Sequence, residues 1–188
     1  LFVGREEILR ELEELWLKLG QVDSVLLYGH RRMGKSSILK NLHNRLDPQR
    51  NWVVEFNLQR VGRVSSTGEM LYALALSLYD RIPPEANIPI EEPSEAAFLD
   101  EGRNPRRAFD RWLKALNSHM DNRRFIVAVD EFELIESAID EGRVDADLTE
   151  FLRGINQTTD WFVLALAGLY TLQEKCYDYW NPLFGSIK

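Results

Sequence analysis

Residues 24–42 read SVLLYGHRRMGKSSILKNL and decide the fold of this 188-residue chain. The first letters form a short apolar run, which is typical of a buried β-strand, and the last place Ile38, Leu39 and Leu42 on one helical face. Between them, Gly29 to Ser36 matches the pattern G-x-x-x-x-G-K-[ST] of a loop that wraps nucleotide phosphates. The stretch therefore predicts a strand, a phosphate-binding loop and a helix, in that order.

Each part of this loop has a chemical task that its residue type can perform. The backbone N–H groups donate hydrogen bonds to phosphate oxygens, and the positive end of the helix that follows favours the same charge. We expect Lys35 to contact the β- and γ-phosphates and the Ser36 hydroxyl to bind Mg²⁺. The predicted nucleotide-binding residues of the loop are Gly29, His30, Arg31, Arg32, Met33, Gly34, Lys35, Ser36 and Ser37.

A second apolar run, residues 125–129, ends in the carboxylates of Asp130 and Glu131. An unbroken apolar run is typical of a central parallel strand that is covered on both faces. In phosphate-loop proteins an acid at the end of another strand completes the magnesium site, so we expect Asp130 to bind Mg²⁺ together with Ser36. Glu131 is expected to orient or deprotonate the attacking water. Lys35 and Glu131 are thus the predicted catalytic residues.

Strands and helices alternate along the rest of the chain. Residues 52–58 and 161–168 read as further strands, and the spacing of apolar residues predicts helices that begin near Glu6, Ser66 and Asn104. This alternation implies an α/β fold: a three-layer P-loop NTPase core built on a parallel sheet.

Two further patterns concern the domain as a whole. Asp147, with Glu150 three residues later, predicts the N-cap of another helix. Four prolines and several acids mark residues 81–103 as an irregular insertion, which could include a short helix from Ser94 to Leu99. We interpret residues 1–188 as a single nucleotide-binding domain, a fragment of a longer protein.

Composition limits the classes of function. The chain is 45% hydrophobic and 28% charged, which suits one globular domain with a sizeable core. Its formal net charge of −7 argues against a nucleic-acid-binding module, since such modules usually carry a basic surface. No apolar run approaches the roughly 20 residues of a membrane span, and the single Cys176 suits a reduced setting. We therefore expect a cytoplasmic protein without a membrane partner.

The same motifs favour ATP as the nucleotide. The Asn-Lys-x-Asp element with which Ras-type GTPases read guanine does not occur in the sequence. Small-molecule kinases usually lack a glutamate after the strand-end aspartate, whereas Glu131 follows Asp130 here. The pairing of loop and carboxylates is therefore typical of an ATPase.

Three segments together resemble one known group of proteins. These are the opening Phe2-Val3-Gly4-Arg5-Glu6 ahead of a helix, the phosphate loop, and Val129-Asp130-Glu131. They look like the nucleotide-binding domain of AAA+-related ATPases, and most like the STAND branch, the signal-transduction ATPases with numerous domains, and its archaeal and bacterial relatives. In that group the loop and the Asp-Glu pair are called Walker A and Walker B.

The resemblance implies further site residues. The opening segment would belong to an N-terminal element over residues 1–20 that lies beside the adenine. Its predicted contacts with the base or ribose are Val3, Gly4 and Arg5. The fourth strand would lie beside the phosphate-loop strand and end in a polar sensor of the γ-phosphate. Leu169 stands at the usual sensor position, which makes Thr171 the candidate sensor.

Two departures from the family bear on the type of ATPase. No arginine follows Arg153, whereas AAA+ ring ATPases usually carry an arginine finger after the fourth strand. No strand pattern follows Gly168, so the fifth strand and the helical lid domain of the family are expected to be absent from this chain. The missing arginine favours a slow switch over a ring motor, unless another domain provides the arginine. Without the strand and the lid, part of the nucleotide pocket is expected to be supplied elsewhere in the full protein or to be missing.

The resulting interpretation is an Mg²⁺-dependent ATPase that binds ATP, hydrolyses it slowly and acts as a signalling or assembly switch. Its expected partners are further domains of the same polypeptide and, with ATP bound, other copies of the chain in a homo-oligomer. Two alternatives stay open. One is an AAA+ ATPase that acts on DNA in replication initiation or transposition, and the other is a nucleotide-binding module without hydrolysis.

Overall fold

The computed structural model describes residues 6–17, 24–58 and 64–168. The strands are β1 Val25–Tyr28, β2 Asn51–Asn57, β3 Arg124–Asp130 and β4 Phe162–Gly168. The helices are α1 Glu6–Leu17, α2 Lys35–Asn41, α3 Thr67–Arg81, α4 Glu95–Leu99, α5 Pro105–Asn117, α6 Glu133–Asp140 and α7 Leu148–Thr158, with 3-10 turns at Leu42–Asn44 and Pro84–Ala86. In these ranges no helix is both long and apolar enough to cross a lipid bilayer.

The four strands form one parallel sheet in the order β1-β4-β3-β2. The fourth strand lies beside the phosphate-loop strand β1, as the resemblance implied. Because all strands run the same way, their carboxyl ends meet at one edge of the sheet. At this edge Tyr28 pairs in register with Gly168, and Asp130 pairs with Ala167.

Helices cover both faces of the sheet, which confirms the predicted three-layer α/β fold. Successive residues of a strand point to opposite faces, so β2 places Val53 on one face and Trp52 on the other. The Val53 face packs on α1 and α2, where Leu9 and Ile38 are among the buried side chains. The Trp52 face carries the larger core, whose helical layer includes α3, α5 and α7.

Aromatic side chains fill much of the larger core. Trp52 and Phe125 meet edge to face, with ring centroids 5.1 Å apart. Phe125 also contacts Trp161 at 6.3 Å, again edge to face. Each such side chain stabilises the fold by about 2–3 kcal/mol relative to an exposed one. This packing holds β2 against β3. It therefore keeps the carboxyl ends of the two strands level with each other at the edge of the sheet.

Two helices begin where their capping residues predict. The Ser66 Oγ accepts a hydrogen bond from the Glu69 N–H at 3.1 Å, and the Asn104 Oδ1 accepts one from the Arg107 N–H at 3.1 Å. The Glu69 carboxylate reaches back one residue further than in an ordinary capping box. It accepts from the N–H and the hydroxyl of Ser65, and these bonds lower the pKa of Glu69.

The predicted capping role of Asp147 is wrong. α7 does begin directly after Asp147, but the Asp147 side chain makes no capping hydrogen bond. Its carboxylate instead pairs with the guanidinium of Arg106 on α5. A charge-assisted bond to a fork of two N–H donors is stronger than a bond to a neutral backbone N–H, which explains why the carboxylate turns away from its own helix.

α6 is a helix that the sequence pattern did not predict. It begins two residues after Glu131, without a side-chain cap, and buries Ile135 and Ala138. The segment predicted to be an irregular insertion, 81–103, contains α4 and packs on its neighbours. Phe98 of α4 is buried, and a Cβ at Gly68 of α3 would lie only 2.4 Å from the Phe98 carbonyl oxygen.

Candidate functional site

The loop from Gly29 to Ser36 connects the carboxyl end of β1 to the first turn of α2. Gly34, directly before α2, has a φ of 87°, a left-handed conformation that glycine adopts without strain. A Cβ at Gly29 would approach the Met33 Sδ to 3.1 Å. The same sulfur accepts a hydrogen bond from the His30 N–H at 3.2 Å. The two glycines therefore permit the tight wrap that the motif predicts.

The Lys35 side chain lies across this loop. Its Nζ donates to the carbonyl oxygen of Gly29 at 2.7 Å and to that of His30 at 2.9 Å. Two carbonyl dipoles thus hold the ammonium group at the mouth of the loop. A positive charge in this position attracts an anion such as a phosphate group.

The remaining loop residues differ in exposure. Arg31, Arg32 and Met33 are exposed, and Met33 keeps 45% of its surface accessible. Ser36 is half-buried in the first turn of α2, whereas Ser37 is exposed. Of the two hydroxyl residues, Ser36 is therefore the one that is partly buried against the fold.

Asp130 is the last residue of β3, and Glu131 follows it in a left-handed backbone conformation with a φ of 55°. The Glu131 N–H donates to the Asp130 Oδ1 at 3.1 Å. The next residue, the fully buried Phe132, donates its N–H to the Ala167 carbonyl oxygen of β4 at 3.1 Å. Leu134 then donates to the Glu131 carbonyl oxygen, which begins the turn into α6. These bonds fix the backbone that carries both carboxylates.

The sheet brings the two motifs to one edge. The loop leaves β1 beside Gly168, and Asp130 ends β3 beside Ala167, so the motifs flank the end of β4. Since neighbouring strands lie about 4.8 Å apart, the two strand ends are separated by about 10 Å. That gap suits a phosphate chain with a metal ion.

Asn57 is a residue at this edge that sequence reasoning missed. It ends β2 in register with Asp130, and it is half-buried. A polar residue that closes an otherwise apolar strand was the available signal. Because residues paired in register on neighbouring strands point to the same face of the sheet, Asn57 brings an amide donor and acceptor to the strand end that carries Asp130.

The donors at this edge fit Mg²⁺. Magnesium prefers oxygen ligands, usually one or two from the protein with the rest from phosphates and water. The Ser36 hydroxyl and the Asp130 carboxylate are two such donors. Across the described ranges, no group of three or more histidine, cysteine or acidic side chains is placed to hold a metal ion. The residues therefore suit a metal ion that is bound jointly with a nucleotide.

Several predicted site residues lie outside the described ranges. They are Val3, Gly4 and Arg5 on the adenine side, and Leu169 and Thr171 at the sensor position. Their roles stay predictions.

The chain matches the model of a known protein family. A model described as the AAA ATPase domain matches residues 1–164 of the chain. The chain belongs to the AAA ATPase domain family. It is therefore a P-loop domain of the AAA+ class, as the resemblance implied, and nucleotide binding is the property that this family shares. No match was found among curated proteins.

Two solved structures share the fold. The Walker-type ATPase Paby2304 of Pyrococcus abyssi superimposes with a TM-score of 0.65 at 23% identity, over 98% of this chain and 51% of that one. The ORC2 protein of Aeropyrum pernix, solved as ADPNP and ADP complexes, gives a TM-score of 0.66 at 14% identity, over 100% of this chain and 47% of that one. The chain thus spans about half the length of each of these proteins.

Proposed function

We propose that this domain binds ATP together with Mg²⁺, hydrolyses it slowly, and serves as a signalling or assembly switch in a longer protein. The observation that carries the proposal is the shared edge of the sheet. The Lys35 ammonium and the phosphate loop stand on one side of β4, and Asp130 and Glu131 stand on the other. A phosphate chain between them would meet positive charge, metal ligands and a water-activating carboxylate at once.

ATP would bind through exchange of contacts that the loop makes with itself. The Lys35 ammonium would leave the carbonyl oxygens of Gly29 and His30 for the β- and γ-phosphate oxygens. Ser36 and Asp130 would hold Mg²⁺, which neutralises phosphate charge when bound. The loop N–H groups would supply further donors to the phosphates.

Hydrolysis would follow from the position of Glu131. The oxygen of a water molecule forms a bond to the γ-phosphorus while the bond from that phosphorus to the bridging oxygen breaks. ADP leaves with the electron pair, and the water proton passes to the Glu131 carboxylate and then to the released phosphate. Because hydrogen bonds fix the Glu131 backbone between Asp130 and α6, only the side chain of Glu131 has to be ordered to reach this arrangement.

A network of hydrogen bonds supports the role as a switch. The loop after α6 contacts the segment that leads into α3: the Asp145 N–H donates to the Thr67 Oγ1 at 2.9 Å, and the Arg143 guanidinium donates to the Val64 carbonyl oxygen. Glu131 begins the turn into α6, so a shift at the γ-phosphate would pass through α6 to the start of α3. A change of nucleotide would therefore reach a surface away from the loop.

Calorimetric titration of the complete protein with ATP and Mg²⁺ tests binding. We expect Lys35→Ala to weaken ATP binding at least about 100-fold, since a charge-assisted contact to phosphate is lost. Lys40→Ala, an exposed lysine of the same helix, is the matched control and should bind as the parent does. No ATP binding by the parent protein, or unchanged binding by Lys35→Ala, would contradict the proposal.

Phosphate release tests hydrolysis separately. Glu131→Gln should keep ATP binding and lower the single-turnover rate about 100-fold or more. A rate equal to that of the parent would remove Glu131 from the reaction. Binding without any phosphate release by the parent would establish the non-hydrolysing alternative.

Hydrogen exchange tests the switch. We expect backbone amides in residues 64–67 and 141–147 to exchange at different rates with ATP and with ADP bound, because α6 links both segments to Glu131. Equal protection in the two states would exclude this route of signalling.

A further inference from the structure

The middle of the phosphate loop carries two arginines, Arg31 and Arg32, whose side chains are exposed. Some other arginines of the described surface pair with carboxylates, whereas the exposed Arg103, Arg107 and Arg111 do not. Arg106 contacts Asp147, and Arg143 contacts Glu141 at 2.8 Å. Neither loop arginine has an ion pair with any carboxylate in residues 6–17, 24–58 or 64–168. Within that part of the chain, the fold does not use these two charges.

The backbone at Arg32 gives a second, independent indication. Its φ of 66° lies in the left-handed region, where a residue with a Cβ is strained by about 1–2 kcal/mol and glycine is not. Strained residues of this kind cluster at ligand clamps and active sites. Arg32 is thus a residue whose backbone favours glycine but whose side chain is a guanidinium.

We propose that the Arg31–Arg32 pair supplies the guanidinium that stabilises the γ-phosphoryl charge during ATP hydrolysis, from the same chain and the same loop as Lys35. The inference rests on the proposed ATPase function and adds a source of positive charge to it. In this arrangement the loop provides an ammonium group from one end and a guanidinium group from its centre.

The chemistry of the two kinds of donor is complementary. The Lys35 ammonium is a compact point charge that two loop carbonyls hold in place. A guanidinium presents a planar fork that binds two phosphate oxygens at once. The charge on the transferred phosphoryl group spreads over its three oxygens in the transition state. A forked donor therefore gains more from the transition state than from bound ATP.

The carboxylates of the site give the guanidinium a further role beside the Lys35 ammonium. Asp130 and Glu131 end the strand on the far side of β4 and add negative charge to the edge that would receive the phosphates. These carboxylates repel the negative phosphates of ATP, and they also disfavour the negative charge that develops on the γ-phosphoryl group during transfer. A guanidinium in the loop offsets that repulsion without a residue from another subunit.

Three variants of the complete protein remove one or both guanidinium groups of the Arg31–Arg32 pair. Arg32→Gly removes a side chain and relieves the left-handed strain, so loss of activity in this variant cannot be ascribed to a damaged fold. Arg31→Ala removes the other guanidinium, and the double variant Arg31→Ala/Arg32→Gly removes both. The matched control is Arg107→Ala/Arg111→Ala, which makes the same change of net charge at two exposed positions of α5.

Two readouts are measured for each variant: the single-turnover rate of phosphate release, and the affinity for ADP with aluminium fluoride relative to ADP alone. The analogue resembles the phosphoryl group in transfer, so it reports on transition-state binding. We expect the double variant to lose at least about 100-fold in rate and most of the preference for the analogue over ADP, with a smaller loss of affinity for ADP itself. The single variants then show which guanidinium carries the effect.

Rate and analogue preference within about threefold of the parent in the double variant would overturn the inference. It would equally fail if the double variant lost ADP and the analogue in parallel, because the pair would then only bind ground-state phosphates. Salt-sensitive DNA binding that disappears in the double variant while hydrolysis persists would assign the pair to another polyanion and overturn it too. Absence of ATP binding in the parent, by contrast, is a failure of the proposed function itself.

Discussion

Arg106 on α5 and Asp147 at the start of α7 form an ion pair across 41 residues of sequence. The same guanidinium reaches the Asp145 carboxylate at 2.9 Å and lies 6.0 Å from the centre of the Phe151 ring. One side chain therefore joins α5 to the loop that follows α6, and so to the segment that carries Glu131. Because Asp145 also contacts Thr67, this junction belongs to the route proposed for the nucleotide signal.

Arg106→Ala should lower the free energy of unfolding by about 1 kcal/mol. The pair is partly exposed, so solvent screens it and most of the loss comes from the guanidinium's bonds and its contact with the ring. Arg107→Ala, the exposed neighbour on the same helix, should change stability by less than about 0.5 kcal/mol. Urea unfolding of both variants measures the difference. Equal stability of the two would mean that the junction contributes nothing.

Stability should fall in acid, and less steeply in a variant without the pair. The Arg106 guanidinium hydrogen-bonds to Asp147 and lowers the pKa of that carboxyl, and the bonds from Ser65 lower the pKa of Glu69. Unfolded carboxyls titrate near 4. A lowered folded pKa therefore contributes stability that is fully present above about pH 5 and is lost as the pH falls through the folded values.

Unfolding midpoints between about pH 2.5 and 6 test this dependence. Asp147→Asn should lose less stability over this interval than the parent, and Glu69→Gln should do likewise, since each variant removes one titrating group. An acid limb as steep as that of the parent in both variants would show that other carboxyls control the transition.

Gly68→Ala should destabilise the domain by about 2–3 kcal/mol. The added Cβ would stand 2.4 Å from the Phe98 carbonyl oxygen, and this contact joins two backbones, so neither side can yield by rotating a side chain. Gly154→Ala on α7 is the control, because nothing lies within 4 Å of its Cβ position. There the helix should gain up to about 1 kcal/mol. Thermal unfolding of the two variants measures the difference. Destabilisation of both by the same amount would show that the Phe98 carbonyl oxygen is not the cause.

Ser36→Ala and Asp130→Asn should remove the effect of magnesium on ATP affinity. Each variant deletes one oxygen ligand of the metal ion that is expected to bind with the phosphates. ATP titrations with Mg²⁺ and with a chelator give the gain in affinity due to the metal. Ser37→Ala, whose hydroxyl is exposed on the next position of α2, should keep that gain. If Mg²⁺ raised ATP affinity in all three variants as it does in the parent, neither Ser36 nor Asp130 would be a ligand of the metal ion.

Local features of the site were predictable because they depend on neighbouring residues. The glycines of the phosphate loop, the caps at Ser66 and Asn104, and the carboxylates that end an apolar run are encoded within a few positions. Features that depend on distant partners were missed or misread. Asp147 looks like a helix cap until Arg106 approaches it from α5. α6 carries no cap of its own and is positioned by burial of Ile135 and Ala138.

The sequence by itself determined that a phosphate loop follows one strand and that a pair of carboxylates ends another. Only the tertiary structure decided that these motifs share an edge, because β4 enters the sheet between β1 and β3 and aligns their ends at Gly168 and Ala167. The physical reason is that a short apolar run fixes which residues are buried, whereas strand order depends on packing between segments about a hundred residues apart. The same packing leaves Arg31 and Arg32 exposed in the loop, where we propose that their positive charge acts on the γ-phosphoryl group.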